Sequence, residues 1–83
     1  MEPTELSFGQ KAVGLTFNPS NNPDVDYIKS QIALVIDRIN DIKSSLDTIE
    51  GKASWTRNVL FTAAFNTLVA AQMAAVKYVT WKD

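Results

Sequence analysis

The 83-residue chain contains no cysteine and no histidine. Without thiols it has neither a disulfide framework nor a thiolate metal site. Without imidazoles it lacks the commonest general base and the commonest transition-metal ligand. Small domains are often stabilised by disulfides, metals or oligomerisation, and of these only oligomerisation remains.

The chain also lacks an excess of either positive or negative charge. The net charge is −1 with 8 Lys and Arg scattered along the chain, whereas DNA-binding proteins usually carry a basic face. The chain has no Ser-His-Asp set, P-loop or glycine-rich fingerprint, and its aspartates are typical of solvated helix faces. We therefore expect a protein that is not an enzyme, with no cofactor, no metal site and no DNA partner.

The acidic residues Glu2 and Glu5, with no apolar run beside them, argue against a secretory signal.

The turn-forming and capping residues predict one all-α domain over residues 1–83. The first helix is expected over 23–50, with Asn22 as N-cap, Pro23 in the first turn and Gly51 after the last. The second is expected over 54–80 with Ser54 as N-cap. The short link between them predicts a long antiparallel helical hairpin. Residues 1–22 are rich in Gly, Pro and Asn yet too apolar for a disordered tail. We therefore expect an ordered N-terminal arm that lies on a helical surface, including that of a neighbouring subunit.

The second predicted helix has no charged residue from Asn58 to Val76 and is apolar on every side. Such a helix must be buried all round, and the first helix cannot cover it alone. Its cover is either a membrane or further copies of the chain. Amide side chains inside the run, such as Asn66 and Gln72, are costly in hydrocarbon. We therefore expect a homo-oligomeric helical bundle and no membrane, with a small membrane protein as the alternative.

Two groups of residues are candidates for binding. Phe17, Asn18 and Ser20 lie in a turn-rich segment, and Lys29 lies near the start of the following helix. Phe17 could stack on a base or staple onto the helix, Asn18 and Ser20 could contact base edges or phosphate oxygens, and Lys29 could supply charge or be solvated.

The second group lies on the second helix. Asn58, Thr62 and Asn66 share one face, with Arg57 and Thr67 beside it. This face could form interhelical hydrogen bonds or one wall of a polar pocket at a subunit junction. A guanidinium near a helix start favours a phosphate in that pocket.

The string Val13-Gly14-Leu15-Thr16-Phe17-Asn18-Pro19-Ser20, followed by Pro23-Asp24-Val25 and Ile28-Lys29, resembles the N-terminal signature of the phage anti-CBASS protein 2 family, which consists of cyclic-nucleotide sponges. The run 68–81, with Ala71-Gln72-Met73 and Val76-Lys77, looks like a second block of that family. The resemblance covers nearly the whole chain, and its N-terminal string is the more specific part.

The resemblance implies a viral, all-helical, non-enzymatic protein in the host cytoplasm that assembles as a homohexamer. Such proteins bind cyclic dinucleotides such as 3′,3′-cyclic GMP-AMP between protomers and cyclic trinucleotides such as cyclic tri-AMP at separate junctions, which blocks CBASS immunity by sequestration. Phe17, where relatives have Tyr, matches the stacking position, and Lys29 matches a lysine near phosphate. Arg57 is not in a defined register with the family's arginine, and Asn66 and Thr67 are second-pocket candidates by position. The alternative is a helical oligomerisation or virion accessory protein with no nucleotide ligand.

Overall fold

The computed structural model describes residues 5–82, and this part of the chain is all-helical. Its helices are α1 (Phe8–Val13), α2 (Pro23–Glu50) and α3 (Trp55–Thr80). The all-α prediction is thus confirmed. Residues 1–4 of the predicted arm and the last residue of the chain lie outside the described part.

The caps of α2 and α3 are those that the sequence predicts. The Asn22 side chain accepts a 2.8 Å hydrogen bond from the backbone N–H of Asp24, and Ser54 accepts one of 3.2 Å from Arg57. Gly51 has φ 74°, a left-handed conformation that glycine adopts without a Cβ clash. Since each cap depends on residues within one turn, the bounds of both helices agree with the prediction to within one residue.

Helix α1 lies inside the arm and is absent from the sequence prediction. Ser7 and Gln10 form a capping box, in which each side chain accepts a hydrogen bond from the other residue's backbone N–H, at 3.1 and 2.9 Å. Gly14 ends the helix at φ 62°. The spacing Ser7-x-x-Gln10 is typical of a capping box and could have predicted the start of this helix.

Helix α1 packs on α2 through Asp37. Its carboxylate accepts hydrogen bonds of 2.6 Å from the Ser7 hydroxyl and 2.6 Å from the Gly9 N–H. A Cβ at Gly9 would overlap the carbonyl oxygen of Ala33, so only glycine permits this close approach. The arm therefore lies on a helix of its own chain through α1, as expected, and its expected contact with a neighbouring subunit stays a prediction.

The core is small. Val13, Ala33 and Ile36 are buried, with Phe65 and Leu68 packed against them from α3. The ring of Phe8 also approaches Phe65, with ring centroids 5.4 Å apart. The distal part of the predicted apolar stripe on α2 is exposed instead, at Ile42, Leu46 and Ile49.

The described helices form a single layer. The chain measures 50 × 38 × 13 Å and has a radius of gyration of 15.0 Å, against about 12 Å for a compact domain of this length. Its thinnest dimension is near the diameter of one helix, about 10–12 Å. No second layer covers α3, and its buried residue is Gln72. The expected all-round burial of α3 is therefore not supplied by its own chain.

By length and composition α3 is able to cross a membrane, and only 6% of its most apolar window is buried within the protein. The same property is expected of a helix that is covered by other subunits.

Candidate functional site

The segment between α1 and α2 folds as a loop held by its own hydrogen bonds. The Phe17 N–H donates to the carbonyl oxygen of Gly14 at 2.9 Å, and Asn21 donates to Asn18 at 3.2 Å. Asn21 has φ 55°, a left-handed conformation that asparagine tolerates better than most residues. These bonds place the Phe17–Ser20 segment beside the start of α2 and the end of α3.

Lys29 is buried beneath this loop, at 4% exposure. Its ammonium group donates to the carbonyl oxygen of Gly14 at 3.0 Å and also to that of Phe17. A buried charge needs such partners to compensate for its lost hydration. The alternative that Lys29 is a solvated surface lysine is therefore wrong, and its two bonds join α2 to the loop.

The ring of Phe17 is 70% exposed. It does not staple onto the helix of its own chain, and packing against another subunit stays an alternative to stacking. The Lys29 Nζ lies 5.5 Å from the ring centroid, within range of a cation–π interaction. The ring therefore has a fixed neighbour and much of its surface open to stack on a further group.

Asn18 and Ser20 use much of their hydrogen-bonding capacity inside the loop. The Asn18 amide donates to Asn22 and to Asp26, each at 3.0 Å, and its oxygen accepts from Ser20 at 2.8 Å. Their contact with a ligand stays a prediction, and in this conformation it would use the remaining lone pairs.

Two clefts meet at this end of the molecule. The loop pocket, of about 170 Å³, is lined by the loop residues Phe17, Asn18, Pro19 and Ser20 with Val25, Lys29, Val76 and Thr80. The α1–α3 cleft, of about 530 Å³, is lined by residues that include Lys11, Phe17, Lys29, Gln72, Val76 and Lys77. Phe17, Lys29 and Val76 belong to both. The structure thus brings together the four predicted residues Phe17, Asn18, Ser20 and Lys29.

The sequence prediction assigned no role to Lys11, Gln72 or Lys77. Both lysines are exposed at the cleft, and neither lining set contains an acidic side chain among the described residues. Gln72 and Lys77 fall within the string that resembles the family's second block, and this resemblance was the sequence signal for their role. No sequence signal indicated Lys11, because its position at the cleft follows from the docking of α1.

Arg57 lies far from these clefts. It is about 30 Å from Lys77 along α3 at the standard helical rise. Its guanidinium donates to Asp47 at 2.9 Å and to Glu50 at 2.7 Å. The hydrogen bond to Asp47 raises the arginine pKa despite partial desolvation, and the bond to Glu50 adds to this. In this conformation Arg57 joins the two ends of the helix connection, and a phosphate would have to compete with both carboxylates.

Asn66 and Thr67 are both exposed on the middle of α3. The Thr67 hydroxyl donates to the carbonyl oxygen of Ala63 at 2.8 Å, a common bond of threonine within a helix. About two turns before Asn66, the buried Oδ1 atom of Asn58 has no hydrogen-bond partner among the described residues. This face of α3 therefore forms no pocket with the four residues of the loop, and its proposed role at a second junction stays a prediction.

No group of three or more acidic side chains that could hold a metal ion occurs within residues 5–82. The groups able to contact a ligand at the two clefts are lysines, an aromatic ring, two amides and hydroxyls. These are suited to a ligand that carries phosphates and aromatic bases.

No protein-family model, curated protein or solved structure matches the chain. The geometry of the clefts, together with the resemblance noted in the sequence, therefore carries the functional proposal.

Proposed function

We propose that the protein is a phage-encoded sponge that binds and sequesters cyclic di- and trinucleotide second messengers in the host cytoplasm and so blocks CBASS immunity. The observation that carries this proposal is the gathering of an exposed aromatic ring, Phe17, with Lys11, Lys29 and Lys77 around two adjoining clefts. A cyclic dinucleotide presents two negative charges and two bases. It requires cations and stacking surfaces, and this end of the molecule offers both.

A shared pocket fits the size of the clefts. They are open at the surface of one chain, whereas ligand sites usually bury most of the ligand. A two-fold interface would supply each aromatic ring and each lysine twice. The pseudo-symmetric ligand, with two bases and two phosphates, matches that duplication.

We propose further that α2 and α3 form an antiparallel hairpin and that several copies pack as a homo-oligomeric bundle, with a hexamer as the expected assembly. The chain exposes 6221 Å², against about 4,900 Å² for a compact protein of its mass. The excess is more than the roughly 800 Å² that each partner buries in a typical interface. Its exposed apolar residues include Ile49, Trp55 and Leu60, each more than 60% exposed.

The direct test is isothermal titration calorimetry of the purified protein with 3′,3′-cyclic GMP-AMP, followed by cyclic tri-adenylate on the saturated sample. We expect tight binding at about one dinucleotide per two chains if the pocket lies on a two-fold axis. A further, independent trinucleotide event would support a second site, for which Arg57, Asn66 and Thr67 are the candidates.

Phe17→Ala tests the stacking role, with Tyr27→Ala as its control. Tyr27 is 66% exposed and lines neither cleft. Base–aromatic stacking contributes about 1–3 kcal/mol per base, so F17A should weaken dinucleotide binding about 5- to 150-fold while Y27A leaves it unchanged. Equal affinities of both variants and the wild type would refute the stacking role.

The second candidate function is a helical oligomerisation or virion accessory protein without a nucleotide ligand. The exposed apolar surface of α3 favours it, because assembly needs that surface whether or not a ligand binds. A folded, oligomeric protein that releases no heat and binds neither nucleotide would select this second function.

A further inference from the structure

The α1–α3 cleft is lined by a glutamine whose amide forms no hydrogen bond within the described residues. Gln72 is 5% exposed and lines the cleft. Its side chain forms no hydrogen bond with the residues that the structure describes, and its amide atoms are not among the buried atoms that lack a partner. The residue is therefore packed while its amide reaches the open cleft. An amide held in this way is able to donate to or accept from a group that enters the cleft.

Lys11 and Lys77 lie at the same cleft and approach it from different elements. Lys11 is on α1 and Lys77 is in the last turns of α3. Neither ammonium group forms an ion pair with a described residue. Lys77 has the ring of Trp81 at 5.4 Å from its Nζ, which leaves its hydrogen-bond donors available.

Lys29 differs from these two lysines. Its ammonium group already donates to the carbonyl oxygens of Gly14 and Phe17, and 96% of the residue is buried (exposure 4%). Drawing it toward a phosphate would leave those two carbonyls without its charge. Lys29 is therefore suited to hold the Phe17 loop in place, and the cations free to meet an anion are Lys11 and Lys77.

We propose that the α1–α3 cleft is the phosphate-binding part of the ligand site, in which Lys11 and Lys77 contact a phosphodiester and Gln72 contacts the adjoining base or sugar. This inference rests on the proposed function. It assigns the ligand's two chemical parts to two places: bases stack at Phe17, and phosphates lie between α1 and the end of α3.

The test uses 3′,3′-cyclic GMP-AMP and four variants of the full-length protein. Lys11→Gln and Lys77→Gln each remove one cation, and Gln72→Met removes the amide at similar size. Lys52→Gln is the control, because Lys52 is exposed in the connection between α2 and α3 and lies at neither cleft. The dissociation constant is measured by calorimetry at low and high salt, and the melting temperature is recorded for each variant.

We expect each lysine variant to weaken binding about tenfold or more and to reduce its salt dependence, since one screened charge contact is lost. Q72M should weaken binding with unchanged salt dependence and without a lower melting temperature, because no internal hydrogen bond is lost. A purely structural Gln72 would leave affinity unchanged.

The outcomes separate this inference from the function on which it rests. Wild-type affinity and salt dependence in K11Q, K77Q and Q72M, in a protein that binds the dinucleotide, would overturn the cleft assignment alone. Absence of dinucleotide binding by the folded wild type would overturn both proposals. Equal weakening by K52Q would show that net charge, and not the cleft, governs affinity, which also overturns the assignment.

Discussion

The ammonium group of Lys29 donates a 3.0 Å hydrogen bond to the carbonyl oxygen of Gly14, the residue that ends α1. The same group donates to the carbonyl oxygen of Phe17. One side chain on α2 thereby joins the end of α1 to the loop that carries the aromatic ring. Stability of the arm and presentation of Phe17 are consequently coupled.

Lys29→Met should destabilise the protein. The substitution keeps the length of the buried side chain but leaves two carbonyl oxygens without their charged donor, which costs about 1–3 kcal/mol. Urea denaturation followed by circular dichroism, at one protein concentration, measures the free energy of unfolding. Lys52→Met, at an exposed position, is the matched control, and equal stability of the two variants would contradict the role of Lys29.

Gly9→Ala should displace α1 from α2. The added Cβ would overlap the carbonyl oxygen of Ala33 and lie 2.9 Å from the Asp37 carboxylate, and overpacking of this kind costs about 1–3 kcal/mol. Hydrogen exchange should become faster for the α1 amides and stay nearly unchanged for the half of α3 next to the connection. Ser45→Ala, at an exposed site of α2, serves as control. An unaltered exchange pattern in G9A would show that the added Cβ is accommodated with α1 still docked, which contradicts the prediction.

Asp47 should make the helix connection sensitive to acid. The hydrogen bond from Lys43 lowers the pKa of Asp47 below its ordinary value of 3.8, and the bond from Arg57 lowers it further, against an opposing effect of desolvation. A carboxylate with a depressed pKa contributes stability that is present above 3.8 and is lost as the pH falls through the folded-state pKa.

The measurement compares wild type with Asp47→Asn in urea denaturation at several pH values. We expect the wild type to be more stable than D47N at neutral pH and the difference to shrink below pH 3.8. Asp41→Asn, an exposed position on the same helix, should leave the pH profile unchanged. A difference that stays constant down to the lowest pH would refute the assignment.

Leu60→Glu should dissociate the proposed oligomer. Leu60 is 64% exposed in the single chain, so a glutamate there costs a monomer little, whereas an unpaired charge in a buried interface is strongly unfavourable. Size-exclusion chromatography with light scattering, in the absence of detergent, should show a lower mass for L60E than for the wild type. Ser45→Glu, on the exposed polar side of α2, should retain the wild-type mass.

A monomeric wild type would contradict the bundle. A wild type that is soluble only in detergent would instead support a membrane-bound α3.

The sequence predicted the parts of the fold that depend on neighbouring residues. Asn22, Gly51 and Ser54 marked the ends of α2 and α3, because a cap acts within one helical turn. The uncharged run from Asn58 to Val76 indicated that α3 needs cover from outside. It did not indicate the role of Lys29, since burial of a lysine depends on two carbonyls far away in the chain.

Tertiary structure decided which residues share the clefts. Phe17 and Lys29, which are close in sequence, are neighbours in the structure, whereas the guanidinium of Arg57 pairs with two carboxylates far from them. The ligand contacts of all three residues stay predictions. Lys11 and Lys77 come together only because Asp37 and Gly9 dock α1 across α2. Local chemistry therefore determined where each helix begins and ends, and packing between distant segments determined which of their side chains are free to bind.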